Sequence, residues 1–575
     1  MKTFYSAFIF LLNISISCAQ WNSGGTQCSS GTDFHHRLIT SAIPGGSAYI
    51  TWMATDTSYI NTVYITALDQ NGNFISGWPA AGTIASQAGD QYAPMVITSE
   101  DGGAIVAWYG YPSGHNRSDI FAQKYSQNAT PLWNSGNPVQ ISSDPLYNHK
   151  YPVLASDKHN GVYVTWMRYD SVVSASSPDI FLQHIDSSGN VAAGWNAVGT
   201  AVAVTPALRE YYPRPALSPD QNAVYILYSE GLVGSSSVKM KKVITSTGTI
   251  DGSWPAAGLV LSPGPNVYSD IIKEQYIFCD NLNNAIAFWI EARTSANGEI
   301  YMQRVSPSGT AMLTANGKCI GANTADGTGY LEIVQDNDDN FLMAFNDYSV
   351  WYDIDVIKMA PDGNAVWQNL SATTNNASAY PKPVSDGHGG MFVFYINNAT
   401  NPYHLYAIAL DSTAALYPGW NVPGTDFGTI GNYNAMNPNQ DFDAVATNTG
   451  QAIVAWDRNT GSNYNVFACN LLSTGDNCTL PDFINNFSEN MSVNLYPDPI
   501  TENSVLEVSN YNKKYSLEIY NASGKMVYAL TNQSNSIVPI YREQYNKGIY
   551  FWKIISEDGK TFCGKFIKTD GCFLI

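Results

Sequence analysis

The side chains of this sequence best suited to chemistry are tyrosines and carboxylates set beside recurring strand signals. Tyr151, Tyr212 and Tyr380 each precede a proline where a β-rich segment begins, Tyr92 stands two residues before Pro94, and Tyr211 adjoins Tyr212. Asp56, Asp170, Glu230, Glu291, Asp347 and Asp457 follow an apolar run. Phenol rings stack on the apolar faces of sugars, and carboxylates accept hydroxyl hydrogen bonds or hold a cation. The competing structural reading is that Tyr-Pro opens a strand and the acids keep loops solvated.

Other chemistries find little support. The eight histidines form no H-E-x-x-H or comparable ligand set, and no G-x-S-x-G elbow or P-loop occurs. No C-x-x-C pair is present, so a zinc ribbon is excluded. Asp336 to Asn340 is faintly like a calcium loop, but Phe341 stands where such a loop needs glycine, so a turn is expected. No metal and no cofactor is anticipated. Sialidase boxes of the form S-x-D-x-G-x-T-W are absent, and Arg117, Arg168, Arg293 and Arg458 have acids beside them that suit local ion pairs. Glycoside hydrolysis needs two carboxylates roughly 5–10 Å apart, and a chain so rich in loop acids has room for such a pair. No catalytic residue can be named. A ligand-binding module for glycan or protein is the first expectation, with an extracellular polysaccharide hydrolase or lyase as the alternative.

The elements that must position these residues repeat. An apolar segment recurs as AYITWM, AIVAWY, VYVTWM, VYILYS, AIAFWI, FLMAFN, MFVFYI and AIVAWD, at spacings of 50 to 62 residues. Its fifth position is always aromatic: Trp52, Trp108, Trp166, Tyr228, Trp289, Phe345, Tyr395 and Trp456. One strand signal precedes each segment, a second apolar strand follows, and a turn leads to a tryptophan and a short final strand. Four strands per repeat, eight times over, predict an eight-bladed β-propeller, with seven blades as the alternative. The mature chain begins on a final-strand signal and the eighth repeat lacks one, so the N-terminal strand is expected to complete the last blade and remove two free edges.

Composition agrees. Charged residues are 13% of the 575, aromatics also 13%, with 46 Gly and 28 Pro, which suits many short strands and turns rather than a coiled coil or a disordered tail. The net charge of −19 argues against a nucleic-acid partner. Met1 to Gln20 carries a lysine, an apolar run and small residues, which predicts a signal peptide over 1–19. No later stretch is apolar for long enough to cross a membrane.

Two of the remaining cysteines are placed by register. Aligning the repeats sets Cys469 where Gln123 stands in the second unit and Cys28 where Gln140 stands. Treating that segment as a hairpin folded near residue 131 puts the two opposite each other, within reach of a disulfide. Cys478, close to Cys469 in sequence, is the competing partner. Cys279 and Cys319 fall on the first and last strands of one blade and should stay unpaired.

Residues 20–480 are therefore read as the propeller, 481–493 as a linker and 494–575 as a small Ig-like β-sandwich of about seven strands. Residues 20–493 hold 18 basic and 39 acidic side chains, whereas 494–575 hold nine and eight. NLYPDPI (494–500), LEIYNASGKMV (517–527), KGIYFWKI (547–554) and KFIK (565–568) resemble the C-terminal sorting domain of type IX secretion in Bacteroidetes. Pro497, Pro499, Gly524, Gly548 and Lys565 fall on its motif. Asp498 stands where Asn is commoner, and TDGCFLI runs past the usual end. The repeats also resemble those of exported proteins with patterns such as D-G-x-G-G-A-I-V-A-W, best at 98–142 and 157–199. This resemblance implies the type IX machinery as partner, passage through the periplasm, and a secreted or outer-surface destination. It names no reaction.

Overall fold

The computed structural model describes residues 24–568, apart from 32, 87, 113–115, 171–177, 233–234, 265–273, 292, 294–297, 322–327, 348–352, 374–377, 400–401, 432–440, 448, 460–463, 473–491, 497–499, 501–503, 510–513, 522–524 and 557–560. The leader, Pro497, Pro499 and Gly524 thus lie outside the described residues. The chain forms two compact units, Met1–Thr479 and Leu480–Ile575.

In the first unit the strands follow one another as antiparallel meanders, each repeat making its own set, with the first and last sets joined into one sheet by a parallel bridge between Phe34 and Tyr464. The third set is typical: Tyr147–Ser156, Val162–Asp170, Asp179–Ile185 and Thr200–Ala203 pair in chain order. Strands are called A to D within each set. The B strands are the recurring apolar segments, and burial on both faces explains why they read as unbroken apolar runs rather than alternating ones. Successive A strands pack side by side from the first set to the fifth and from the sixth to the eighth, and Phe442–Ala446 of the eighth set packs beside Phe34–Ile43 of the first. Thr26–Gln27 pairs with Tyr464–Leu471, giving the eighth set its fourth strand.

Aromatic residues join neighbouring sets. Trp52, Trp108, Trp166, Trp289 and Trp456 are fully buried. The D-region tryptophans donate their indole N–H to a backbone carbonyl in the next set: Trp78 to Gln127 (2.9 Å), Trp133 to Ser187 (2.9 Å), Trp195 to Thr245 (2.7 Å) and Trp254 to Pro307 (3.1 Å). Carboxylates of the A–B turns bind basic side chains on C strands, as in Asp101–Lys124 (2.7 Å), Asp157–His184 (2.9 Å) and Asp336–Lys358 (2.8 Å). Asp336 also accepts the amides of Asp338 and Asn340, both at 2.9 Å, so its run of acids and amides is a turn locked to a strand.

The Cys28–Cys469 bond does not form. Cys28 is a free, fully buried thiol, whereas Cys469 is disulfide-bonded; the competing partner, Cys478, lies outside the described residues. The cause is register. Thr26 pairs with Ala468 and Gln27 with Phe467, and the Cys28 amide donates to Val466 at 2.7 Å. In the second set Phe121, not Gln123, pairs with Gln140. The C–D connection is no simple hairpin: Tyr125 bridges Pro131, and the Trp133 segment adds residues before pairing resumes. The equivalent of Gln140 is Gln27 rather than Cys28, and these errors set the cysteines three residues apart along the ladder. That is roughly 10 Å of strand, beyond disulfide reach. Cys279 and Cys319 are free thiols.

Among the described residues the second unit has seven strands in two sheets. Ser492–Tyr496, Val505–Ser509 and Ile537–Pro539 form one; Tyr515–Asn521, Met526–Gln533, Gly548–Ser556 and Thr561–Lys568 form the other. Leu506, Leu517, Ile519, Trp552, Ile554 and Phe566 make its core. Gly548 opens a strand and Lys565 is exposed, paired with Phe551.

Candidate functional site

Six A strands carry the same irregularity. The register with strand B shifts between His36 and Ile39, Tyr92 and Met95, Lys150 and Val153, Tyr211 and Arg214, Gly329 and Glu332, and Ala379 and Lys382. One residue in each bulge is left-handed: Arg37, Ala93, Tyr151, Tyr212, Tyr330 and Tyr380, with φ between 49° and 58°. Bulky residues rarely adopt this conformation, and a bulge re-aims the side chain it carries. In four of the six the next residue is proline, which has no N–H to place in the interrupted ladder. Opposite each bulge stands the fifth-position aromatic of strand B. The Tyr-Pro signal and the aromatic signal are two sides of one feature.

In sets one to four the bulges surround a cavity of about 460 Å³. Arg37, Ala93, Tyr151 and Tyr212 line it at the bulge position, joined by Tyr169, Tyr211, Arg214 and Met167. Tyr211 and Tyr212 stack with ring centroids 5.7 Å apart, and Tyr151 meets Tyr109 edge-on at 5.3 Å. Tyr151 is 41% exposed and so is open to a ligand. Burial first, and then the neighbouring phenols, push the Tyr169 hydroxyl above its ordinary value, so it stays protonated as a donor. No carboxylate and no imidazole is among the lining residues.

Around sets six to eight and the first, a polar belt ties the A strands together. Lys382 contacts Asp443 at 2.8 Å and Glu332 at 3.4 Å, and Asp443 accepts from the Thr40 amide (2.7 Å) and hydroxyl (2.9 Å). Burial opposes the ammonium charge, but Asp443 and Glu332 outweigh it and raise Lys382 above its usual value.

The residues expected to share a face are divided by the structure. Tyr151 and Tyr212 meet in the cavity. Tyr92 precedes its bulge residue, donates to Asp90 and stacks on Tyr109 at 5.2 Å. Tyr380 is buried edge-on against Tyr330, 4.2 Å between centroids. None of the acids lines the cavity. Asp56 accepts the amides of Ser58 (2.8 Å) and Ile60 (2.9 Å) in its own turn. Asp170 sits in the ladder opposite Tyr147. Glu230 is buried on Lys239 and accepts from the Thr205 hydroxyl at 3.0 Å. Glu291 is held by Ser262 (2.5 Å), Trp289 (2.9 Å) and Arg293 (2.6 Å). Glu230 and Glu291 lie two residues past an aromatic and so share its side of the strand, which faces the packing between sets. Asp457 is fully buried, its amide bonded to Asp441 at 2.9 Å. Asp347 ends its strand, and its side chain lies outside the described residues. Arg37, Tyr169 and Arg214 escape a search for Tyr-Pro; superposing the A strands on the bulge would find Arg37 at the position of Tyr151.

Comparison with known proteins separates the two units. The first is all-β, built of repeated antiparallel sets of strands. Residues 494–569 of the second match the secretion system C-terminal sorting domain, so the chain bears a type IX sorting tail and is exported by secretion or to the cell surface. No curated protein matches the sequence. Among solved structures, a prolyl endopeptidase is similar at 9% identity and TM-score 0.39, over 92% of this chain, which spans only 55% of that enzyme. An ulvan lyase bound to -[GlcA(1-4)Rha3S]- is similar at 9% identity and TM-score 0.40, over 68% of this chain and 95% of its own. The α-L-arabinanase of Penicillium chrysogenum follows at 11% identity and TM-score 0.30, over 59% and 98%. At these overlaps the likenesses assign no activity.

Proposed function

We propose that this chain is an exported eight-bladed β-propeller that binds saccharide in the cavity among its first four blades, delivered by its sorting tail. Eight strand sets, and the pairing of Thr26–Gln27 with the last of them, favour eight blades over seven. Residues 1–19 act as a signal peptide into the periplasm, 20–480 form the propeller, 481–493 link it to the tail, and the type IX machinery takes the protein onward. The Bacteroidetes origin rests on the resemblance of tail and repeats.

The observation that carries the binding reading is a 460 Å³ cavity in which Tyr151, Tyr169, Tyr211 and Tyr212 converge without a carboxylate. Flat rings with donor hydroxyls suit sugar faces and ring oxygens. Hydrolysis would need a carboxylate pair, and β-elimination a base active near neutral pH. The lining offers neither, and its buried phenol titrates above its ordinary range. The test is a saccharide array with the full mature chain, alongside Tyr151→Ala and Tyr212→Ala. We expect binding to a restricted set of oligosaccharides, weakened about ten-fold or more by either substitution. Chain cleavage of a bound polysaccharide, detected as new reducing ends or unsaturated products, would replace this reading with the enzymatic one. A blank array would remove it.

A further inference from the structure

The charge of the cavity runs against that of the molecule. The chain carries a net charge of −19, yet among the described residues its cavity is lined by Arg37 and Arg214 and by no acid. Several cations of the first unit are held by acids: Lys124, Arg168, Lys239, Lys242, Arg293, Arg304, Lys358 and Lys382 each sit on a carboxylate. Arg37 is different. It occupies the left-handed bulge position (φ 56°), is half-buried, and its guanidinium has no ion pair or hydrogen bond among the described residues. Lys150 is a second case. It is also half-buried, and its ammonium lies 5.6 Å from the Tyr111 ring and 6.0 Å from the rings of Tyr109 and Tyr169, with no carboxylate partner among the described residues. Tyr169 lines the cavity, so Lys150 stands at its edge.

Half-buried cations without counter-ions are disfavoured in the empty protein and are relieved by an arriving anion. A guanidinium presents a planar fork that matches carboxylate and sulfate alike, while the adjoining phenols supply stacking and hydroxyl contacts. Resting on the saccharide reading above, we infer that the cavity selects anionic oligosaccharides, with Arg37 receiving the carboxylate or sulfate and Lys150 adding charge at the rim.

Calorimetric titration of the full mature chain with three probes tests this. Oligogalacturonate carries carboxylates, a dextran sulfate oligomer carries sulfates, and the neutral dextran oligomer is its matched control. One charged probe should bind at least about ten-fold tighter than the neutral one, with affinity falling as salt rises. Whichever charged probe wins identifies carboxylate or sulfate as the recognised group. Arg37→Met should cost about ten-fold on that probe, Arg37→Lys less, and Lys150→Met should flatten the salt dependence. If Arg37→Met fails to fold, judged by its melting curve, Lys150→Met and the salt series of the unaltered chain decide. Failure of both charged probes to bind tighter than neutral dextran, or unchanged affinity in the variants, overturns the anionic inference and leaves saccharide binding standing. A charged-probe affinity indifferent to salt also overturns it. No binding of these probes, together with a blank array, removes both.

Discussion

Two buried carboxyls of the eighth set show how a residue's surroundings set its behaviour. Asp441 is 4% exposed and faces Asp457; burial first, then the Asp457 charge, push Asp441 up to about 9. In the unfolded chain it ionises near pH 4. Between these values the folded protein keeps a proton that the unfolded chain releases, so stability falls as pH rises through this window. Asp441→Asn keeps the shape and removes the titration. Its melting temperature should exceed that of the unaltered protein by about 2 °C or more at pH 8, and the difference should vanish near pH 4. An unchanged pH profile in scanning calorimetry would mean that Asp441 is ionised in the fold. Gly199 offers a test of packing within a set. Its φ is +86°, and a Cβ there would lie 2.8 Å from the Trp166 ring. Gly199→Ala should lose about 1–3 kcal/mol in denaturant unfolding. A smaller loss would mean that the Trp166 ring yields. Neither position stands out in the sequence, because each depends on a neighbour distant along the chain.

At the scale of elements, the short N-terminal strand matters beyond its length. Thr26–Gln27 covers the outer edge of Tyr464–Leu471, and Cys28 packs with Trp456 and Cys469 in one core. Removing residues 24–28 exposes that edge and opens the core. The truncated protein should melt at lower temperature and aggregate with increasing concentration, as read by calorimetry and light scattering; an unaltered melt would mean that the strand is dispensable. The repeat pattern made this pairing legible, since the eighth repeat lacks a final strand. Its register was not legible. Turn lengths between strands C and D vary, and a slip of a few residues leaves the apolar pattern of so short a strand almost unchanged. The bulges were half legible. Tyr-Pro marks them at Tyr151, Tyr212 and Tyr380, but Arg37 and Tyr330 hold the same position without proline.

The whole molecule joins a compact β-repeat unit to a sorting tail. The tail's core, with Trp552 and Ile554 buried against Leu517 and Ile519, is its own, so export can be tested separately from folding. Deleting 494–575 should leave the first unit folded and held in the periplasm, assayed by fractionation and by protease protection. Surface delivery of the truncated chain would exclude the tail as the address.

By itself the sequence determined the all-β class, the repeat, the sorting tail and the aromatic segments of strand B. These are local patterns, written in apolar runs, turn residues and short motifs that each segment carries within itself. Only the tertiary structure decided which tyrosines share a space, that the acids Asp56, Glu230, Glu291 and Asp457 are taken up by local or buried partners, and that Arg37 reaches the cavity unpaired. The convergence of the tyrosines and Arg37 on the cavity depends on bulges that turn side chains inward and on the packing of A strands from successive repeats. Such contacts join residues more than fifty positions apart, and no single segment encodes them.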